Sequence, residues 1–140
     1  MEETHDSARA LSAGAWEIVK NPSRTREEYV RALGAAAAAC ERGEHLADYQ
    51  RCLGVAYLRV GRFEEAALWL SKPECNHPLE TDLERAITAL ALARAQEAGQ
   101  AEAAAQSRAR FGAIAAKLTE ANVRAVVADF GEPAPRAPTK

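Results

Sequence analysis

Apolar residues recur along the chain at three- and four-residue intervals, a period that predicts helices throughout and no strands. Ala8, Leu11, Ala15, Ile18 and Val19 mark a first helix over 6–20, with Asp6 or Ser7 as its cap and Asn21-Pro22 as its end. Thr25 followed by Glu28 is a capping box that opens a second helix, carried through Tyr29, Leu33 and five alanines (35–39) to about Arg42, where Gly43 stops it. A third helix is expected over 46–60 and a fourth over 63–71, with Gly61 breaking the pattern between them and Pro73 forcing the exit. An irregular stretch over 72–80 precedes a second capping box, Thr81 with Glu84. It starts a fifth helix over 82–98 whose buried side holds Leu83, Ile87, Leu90 and Ala91. Gly99 marks the next turn, a sixth helix covers 101–117, and 119–129 forms a seventh helix or a continuation, with Val123, Val126, Val127 and Phe130 apolar. After Gly131 the segment EPAPRAPTK has no core-forming residue, so a single helical domain over 1–131 and a disordered Pro-rich tail over 132–140 are expected.

Composition changes this picture in one respect. The 48% apolar share includes 33 alanines among 140 residues, which favour helix strongly but bury little area. The core is therefore expected to consist of helices held close by small residues, above all along the polyalanine run. A net charge of -2 and a pI near 6.0 argue against a nucleic-acid partner, which needs a basic face. Of 18 basic residues 14 are Arg, an excess that fits a GC-rich bacterial genome. Cys40, Cys52 and Cys75 are odd in number and lack the spacing of a disulfide framework, so free thiols and a cytoplasmic location are expected. The first residues show no basic and apolar leader pattern, and no run approaches the ~18 apolar residues of a membrane span.

Leu53, Gly54, Tyr57, Gly61, Phe63, Ala66 and Pro78 have the spacing of two helices joined by a tight turn. Ala32 and Ala66, and Ala39 and Pro73, lie 34 positions apart; Gly61 and Gly99, and Ala66 and Ala104, lie 38 apart. This resembles the tetratricopeptide repeat, a helical hairpin of about 34 residues. Gln50 stands in place of the family's early Trp, Leu70 in place of its late aromatic residue, and Pro73 in place of its late Ala. The overall pattern looks like repeat segments attached to large bacterial multidomain proteins such as Ser/Thr kinases. The resemblance implies an all-α fold of about three antiparallel hairpins, stacked as a short right-handed α-solenoid, with a C-terminal helix capping the last hairpin over Phe111, Ile114 and Leu118. Gly54 is then the point of closest approach within the middle hairpin.

Candidate chemistry is sparse. Cys75 with His77, and His45 with Cys52, suggest a mixed metal site on paper, but no CxxC pair supports one, and helix-borne cysteines read more simply as small hydrophobes. There is no GxSxG elbow and no phosphate loop, and carboxylates such as Glu64, Glu65, Glu80, Asp82 and Glu84 sit near helix starts, where solvated charge is favourable. Neither an enzyme nor a cofactor is expected.

The resemblance implies instead a concave groove lined by the first helix of each hairpin. Its positions fall on Arg9, Trp16 and Lys20 in the first unit, Asp48, Arg51, Val55, Leu58 and Arg59 in the second, and Leu90, Gln96 and Glu97 in the third. Trp16, Val55, Leu58 and Leu90 would anchor an apolar segment, while Arg9, Arg51 and Arg59 would pair with its acidic groups. The family's carboxylate clamp is missing, because its positions hold Ser12, Trp16, Cys52, Ala86 and Leu90. The expected function is a protein-interaction adaptor for an acidic peptide; the alternative is a structural domain that self-associates as a homodimer.

Overall fold

The computed structural model of the protein describes residues 2–43, 46–77 and 80–131. Those residues form seven α-helices and no strand: α1 (Glu2–Val19), α2 (Arg26–Gly43), α3 (Ala47–Arg59), α4 (Phe63–Leu70), α5 (Asp82–Gln96), α6 (Ala101–Ala115) and α7 (Glu120–Val126). A single 3-10 turn at Pro73–Asn76 joins α4 to α5, and a π-helical turn at Val127–Gly131 follows α7. The Pro-rich tail over 132–140, His45 and Pro78 lie outside the described residues.

Local chemistry sets several helix ends. Glu28 N–H donates to Thr25 Oγ1 at 3.1 Å while Thr25 N–H donates to Glu28 Oε1 at 3.0 Å, and Thr81 and Glu84 repeat this exchange at the start of α5. Thr119 caps α7 by accepting from Asn122 N–H at 3.1 Å. Gly61, at φ 87°, ends α3 in the left-handed region, and the N–H groups of Gly61 and Arg62 return to the carbonyls of Leu58 and Tyr57. Two expected boundaries change. α1 begins at Glu2, so Asp6 and Ser7 lie inside it and do not cap it. The seventh helix gives way after Val126 to the wider π turn, which brings Phe130 back toward the protein.

Helices adjacent in sequence pack most extensively, α1 on α2, α3 on α4 and α5 on α6, and α2 meets α3 as α4 meets α5. A stripe of small residues on α2, Ala32, Ala36 and Ala39, is buried with Ala8 and Ala15 of α1, the close contact that unbranched side chains permit. Val19, Val55, Ala56, Ala66, Leu70 and Ala91 continue this core. At Gly54 α3 and α4 approach closely: a methyl group there would lie 2.6 Å from Leu70 Cγ. On α5, Thr88 is fully buried and Leu83, expected inside, is 37% exposed. Ile114 packs with Ala86 and Ala89 of α5, flanked by Phe111 and Leu118. The C-terminal segment meets this last pair on α5: α7 and its turn lie against that helix, and Val126 and Phe130 join the main core, against which Phe111 also packs.

Candidate functional site

The first helices of the consecutive pairs, α1, α3 and α5, come together on one face, with contacts from α1 to α3 and from α3 to α5. The expected groove maps onto this face, but the part of it at the C-terminal ends of α1 and α3 is occupied by the chain itself. The Phe130 ring stacks on Trp16 with centroids 6.0 Å apart and planes at 23°, and the Arg59 guanidinium lies over the same ring at 5.4 Å. Arg59 also donates to three carbonyls: Nε to Val19 O at 2.7 Å, and Nη2 to Lys20 O at 3.2 Å and Asp129 O at 2.6 Å. It ties the end of α1, α3 and the C-terminal turn together, and burial lowers its pKa from the ordinary arginine range.

Beside this plug the same face stays open as a cleft of about 360 Å³, a volume in the range of small binding pockets. α1 contributes Arg9, Ser12, Ala13 and Trp16, α3 contributes Asp48, Tyr49 and Arg51, and α5 contributes Leu83, Glu84 and Ile87. Helical spacing explains the grouping, because residues three or four apart share a face: 9, 12, 13 and 16 on α1, and 83, 84 and 87 on α5.

Arg51 is the cleft's structural centre and was expected to be an exposed contact. Its side chain is only 4% exposed. Nε donates to Thr88 Oγ1 at 2.7 Å, Nη1 to Asp48 Oδ1 at 2.9 Å and Nη2 to Glu80 Oε1 at 2.5 Å, so all three nitrogens are engaged within the protein. Carboxylate oxygens of Asp48, Glu80 and Glu84 lie within 4.8 Å of one another, a separation compatible with a metal ion. Arg51, bonded to two of the three, already supplies a positive charge there.

Of the eleven expected groove residues, Arg9, Trp16, Asp48 and Arg51 line the cleft. Val55 is fully buried and Leu90 is 6% exposed, so neither presents a surface for a peptide. Leu58 is half-buried against the core, and Lys20 pairs with Glu17 at 3.2 Å. Gln96 and Glu97 lie apart, at the α5 end: Gln96 accepts from Ser107 Oγ at 2.6 Å, and Glu97 pairs with Arg94 and Arg108. Among the positions not counted for the groove, Leu83 and Ile87 carry a helical spacing that placed them on one side of α5, Glu84 was read only as the capping partner of Thr81, and Tyr49 follows Asp48 directly. Nothing local to the sequence marks Glu80 as the partner of Arg51.

All three cysteines are buried. Burial pushes the Cys52 and Cys75 thiols up to about 12, and Cys75 Sγ lies 3.7 to 3.8 Å from Ala47 O, Gln50 Oε1 and Trp69 O. Such thiols stay protonated and shielded, the opposite of the low-pKa exposed thiol that nucleophilic chemistry requires. Among the described residues no helix is long and apolar enough to cross a membrane. Comparison of the chain with family models, curated proteins and solved structures finds no match.

Proposed function

We propose that the protein is a non-enzymatic interaction module that holds a peptide segment of another protein in the cleft between α1, α3 and α5. On this reading the helices form three hairpins of tetratricopeptide type in a short right-handed α-solenoid, and the module works as a cytoplasmic adaptor. One observation carries the proposal: the three first-of-pair helices leave an open cleft of about 360 Å³ with apolar and charged walls, directly beside the place where the chain's own Phe130 is bound. The same face thus holds one aromatic side chain from a short helical turn and leaves room for more. The buried, protonated thiols fit a reducing compartment.

The test uses Ala13, exposed on α1 and part of the cleft wall, so Ala13→Trp fills the space without entering the core. Wild-type protein is expected to retain from lysate a protein that the Ala13→Trp variant loses, with both variants equally helical by circular dichroism. Identical retention by the two would overturn the assignment of the cleft. A second reading, a self-associating helical domain, draws on Phe63 and Leu68 of α4, which are 39% and 61% exposed. Light scattering separates the two readings, since an adaptor is monomeric alone.

A further inference from the structure

The acidic peptide expected from the sequence relies on Arg51 and Arg59 being available to it, and both are engaged within the chain. The segment that engages Arg59 is itself lightly anchored. From Thr119 to Phe130 only Val126 and Phe130 are buried; Val123 and Asp129 are half-buried, and the other eight residues are exposed. α7 has seven residues, too few for a stable helix without packing. It touches α5 sparingly, and the turn at Val127–Gly131 carries more of the attachment. There the Phe130 ring meets two groups that favour an aromatic face, the Trp16 indole and the Arg59 guanidinium, and Arg59 Nη2 donates to the carbonyl of the preceding residue, Asp129. Val126, four positions earlier, joins the same core. Trp16 is shared, since it stacks on Phe130 and also lines the open cleft.

Resting on the reading of this face as a peptide site, we propose that the segment over 119–131 is a detachable strap on the protein's own binding surface, displaced by a partner's helical segment that carries an aliphatic residue four positions before an aromatic one. The strap shows what the surface accepts. The partner's ring replaces Phe130 on Trp16 and Arg59, its aliphatic side chain replaces Val126, and the carbonyl before the ring accepts from Arg59 in place of Asp129 O. A tethered strap has a high effective concentration at its site, so it lowers the partner's apparent affinity in proportion to the fraction of molecules that are open. The adjoining cleft offsets this, because a longer partner gains contacts there that the strap does not make.

The test uses a fluorescein-labelled peptide of residues 119–131, read by anisotropy against the full chain. Wild type holds the tethered copy, and the full-length double variant Val126→Ala with Phe130→Ala releases it. The released variant is expected to bind the peptide roughly tenfold or more tightly than wild type. Phe130→Ala within the peptide is expected to abolish that binding, and Val127→Ser within the peptide, at an exposed position, to preserve it. A host helix of Ala, Glu and Lys bearing only a Val and, four positions later, a Phe is expected to bind the released variant too, and to fail when the two stand two positions apart, on opposite sides of the helix. Failure of the four-apart host helix overturns the proposed partner while the strap stands. Equal binding of the 119–131 peptide by the two proteins, or none, overturns the strap. Loss of helical circular dichroism in the released variant also overturns it, because the segment is then an integral part of the core. In wild type, hydrogen-bonded amides over 124–130 are expected to exchange faster than those of α3, and equal protection has that same meaning. Each of these failures leaves the cleft reading intact, since Ala13→Trp tests it separately at the open wall of α1.

Discussion

Gly54 offers the sharpest quantitative test of how the helices pack. A β-carbon added there would lie 2.6 Å from Leu70 Cγ and 2.8 Å from Cδ2, against the roughly 3.5–4.0 Å at which carbon atoms attract. Leu70 is fully buried, so its branch has no solvent to move into. Two effects oppose each other in Gly54→Ala. Replacing a helical glycine with alanine gains about 0.8–1.0 kcal/mol, while forcing an extra carbon into a close-packed core costs about 1–3 kcal/mol. A clash about 1 Å inside contact distance, at two atoms of an immobile side chain, belongs to the upper part of that range. The expected net loss is about 1–2 kcal/mol, and a larger loss is expected for Gly54→Leu.

The decisive measurement is a double-mutant cycle with Leu70→Ala. That substitution alone is expected to cost about 2–5 kcal/mol through lost burial and a cavity. It also removes Cγ and Cδ2, the two atoms closest to the new methyl group. In the Leu70→Ala background Gly54→Ala therefore loses its clash, keeps its helical gain and is expected to stabilise by about 1 kcal/mol. The coupling amounts to about 2–3 kcal/mol, readable by urea unfolding followed by circular dichroism, with a melting shift of about 4 °C per kcal/mol for a chain of this size. Additivity within about 0.5 kcal/mol would show that Gly54 and Leu70 do not share the contact, and the packing of α3 on α4 described above would be wrong.

Other predictions probe the face of α1, α3 and α5. Phe130→Ala is expected to release the C-terminal turn and expose Trp16; in a Trp69→Phe background this appears as a red-shifted emission, and unchanged emission would mean that the stack on Trp16 does not form. Arg51→Met leaves Asp48 and Glu80 without their shared partner and is expected to lower stability by on the order of 2–3 kcal/mol, less than for a wholly buried pair because Asp48 is largely exposed. Unfolding curves matching wild type would refute the role of Arg51 as a structural tie. The native thiols are expected to resist a thiol reagent at pH 8 and to react on unfolding, since burial holds Cys52 and Cys75 protonated up to about 12. The sign for stability follows: unfolded thiols ionise near 9, so Cys52 and Cys75 destabilise the fold progressively as pH rises above 9, and a melting temperature rising over pH 9–10 would contradict their burial.

The features legible in the sequence are those whose cause lies within a turn or two of chain. Thr25 with Glu28 and Thr81 with Glu84 cap as their spacing requires, Gly61 adopts the positive φ that ends α3, and the alanine stripe of α2 packs inward. What was not legible depends on partners far away. Arg51 reads as a surface charge until Glu80 and Thr88, 29 and 37 positions on, close around it. Arg59 is similar, its most distant acceptor being the Asp129 carbonyl 70 positions along the chain. Leu83 fits the helical period of α5 yet lies in the first turn, at the cleft, where no element covers it.

These two arginines decide the character of the site. A guanidinium counts toward a partner's recognition only while its donors and its charge remain available, and burial in internal bonds removes both. Arg51 and Arg59 are withdrawn in this way, whereas the carboxylate of Asp48 stays largely exposed. A helix that presents Asp48, Arg51 and Arg59 thus reads as basic in sequence, while the cleft lining to which α3 contributes holds two carboxylates, Asp48 and Glu84, against two guanidiniums, Arg9 and Arg51. What charge a face offers to its surroundings follows from which groups the fold leaves exposed, and among the charged residues lining this cleft those are Asp48 and Arg9, one of each sign.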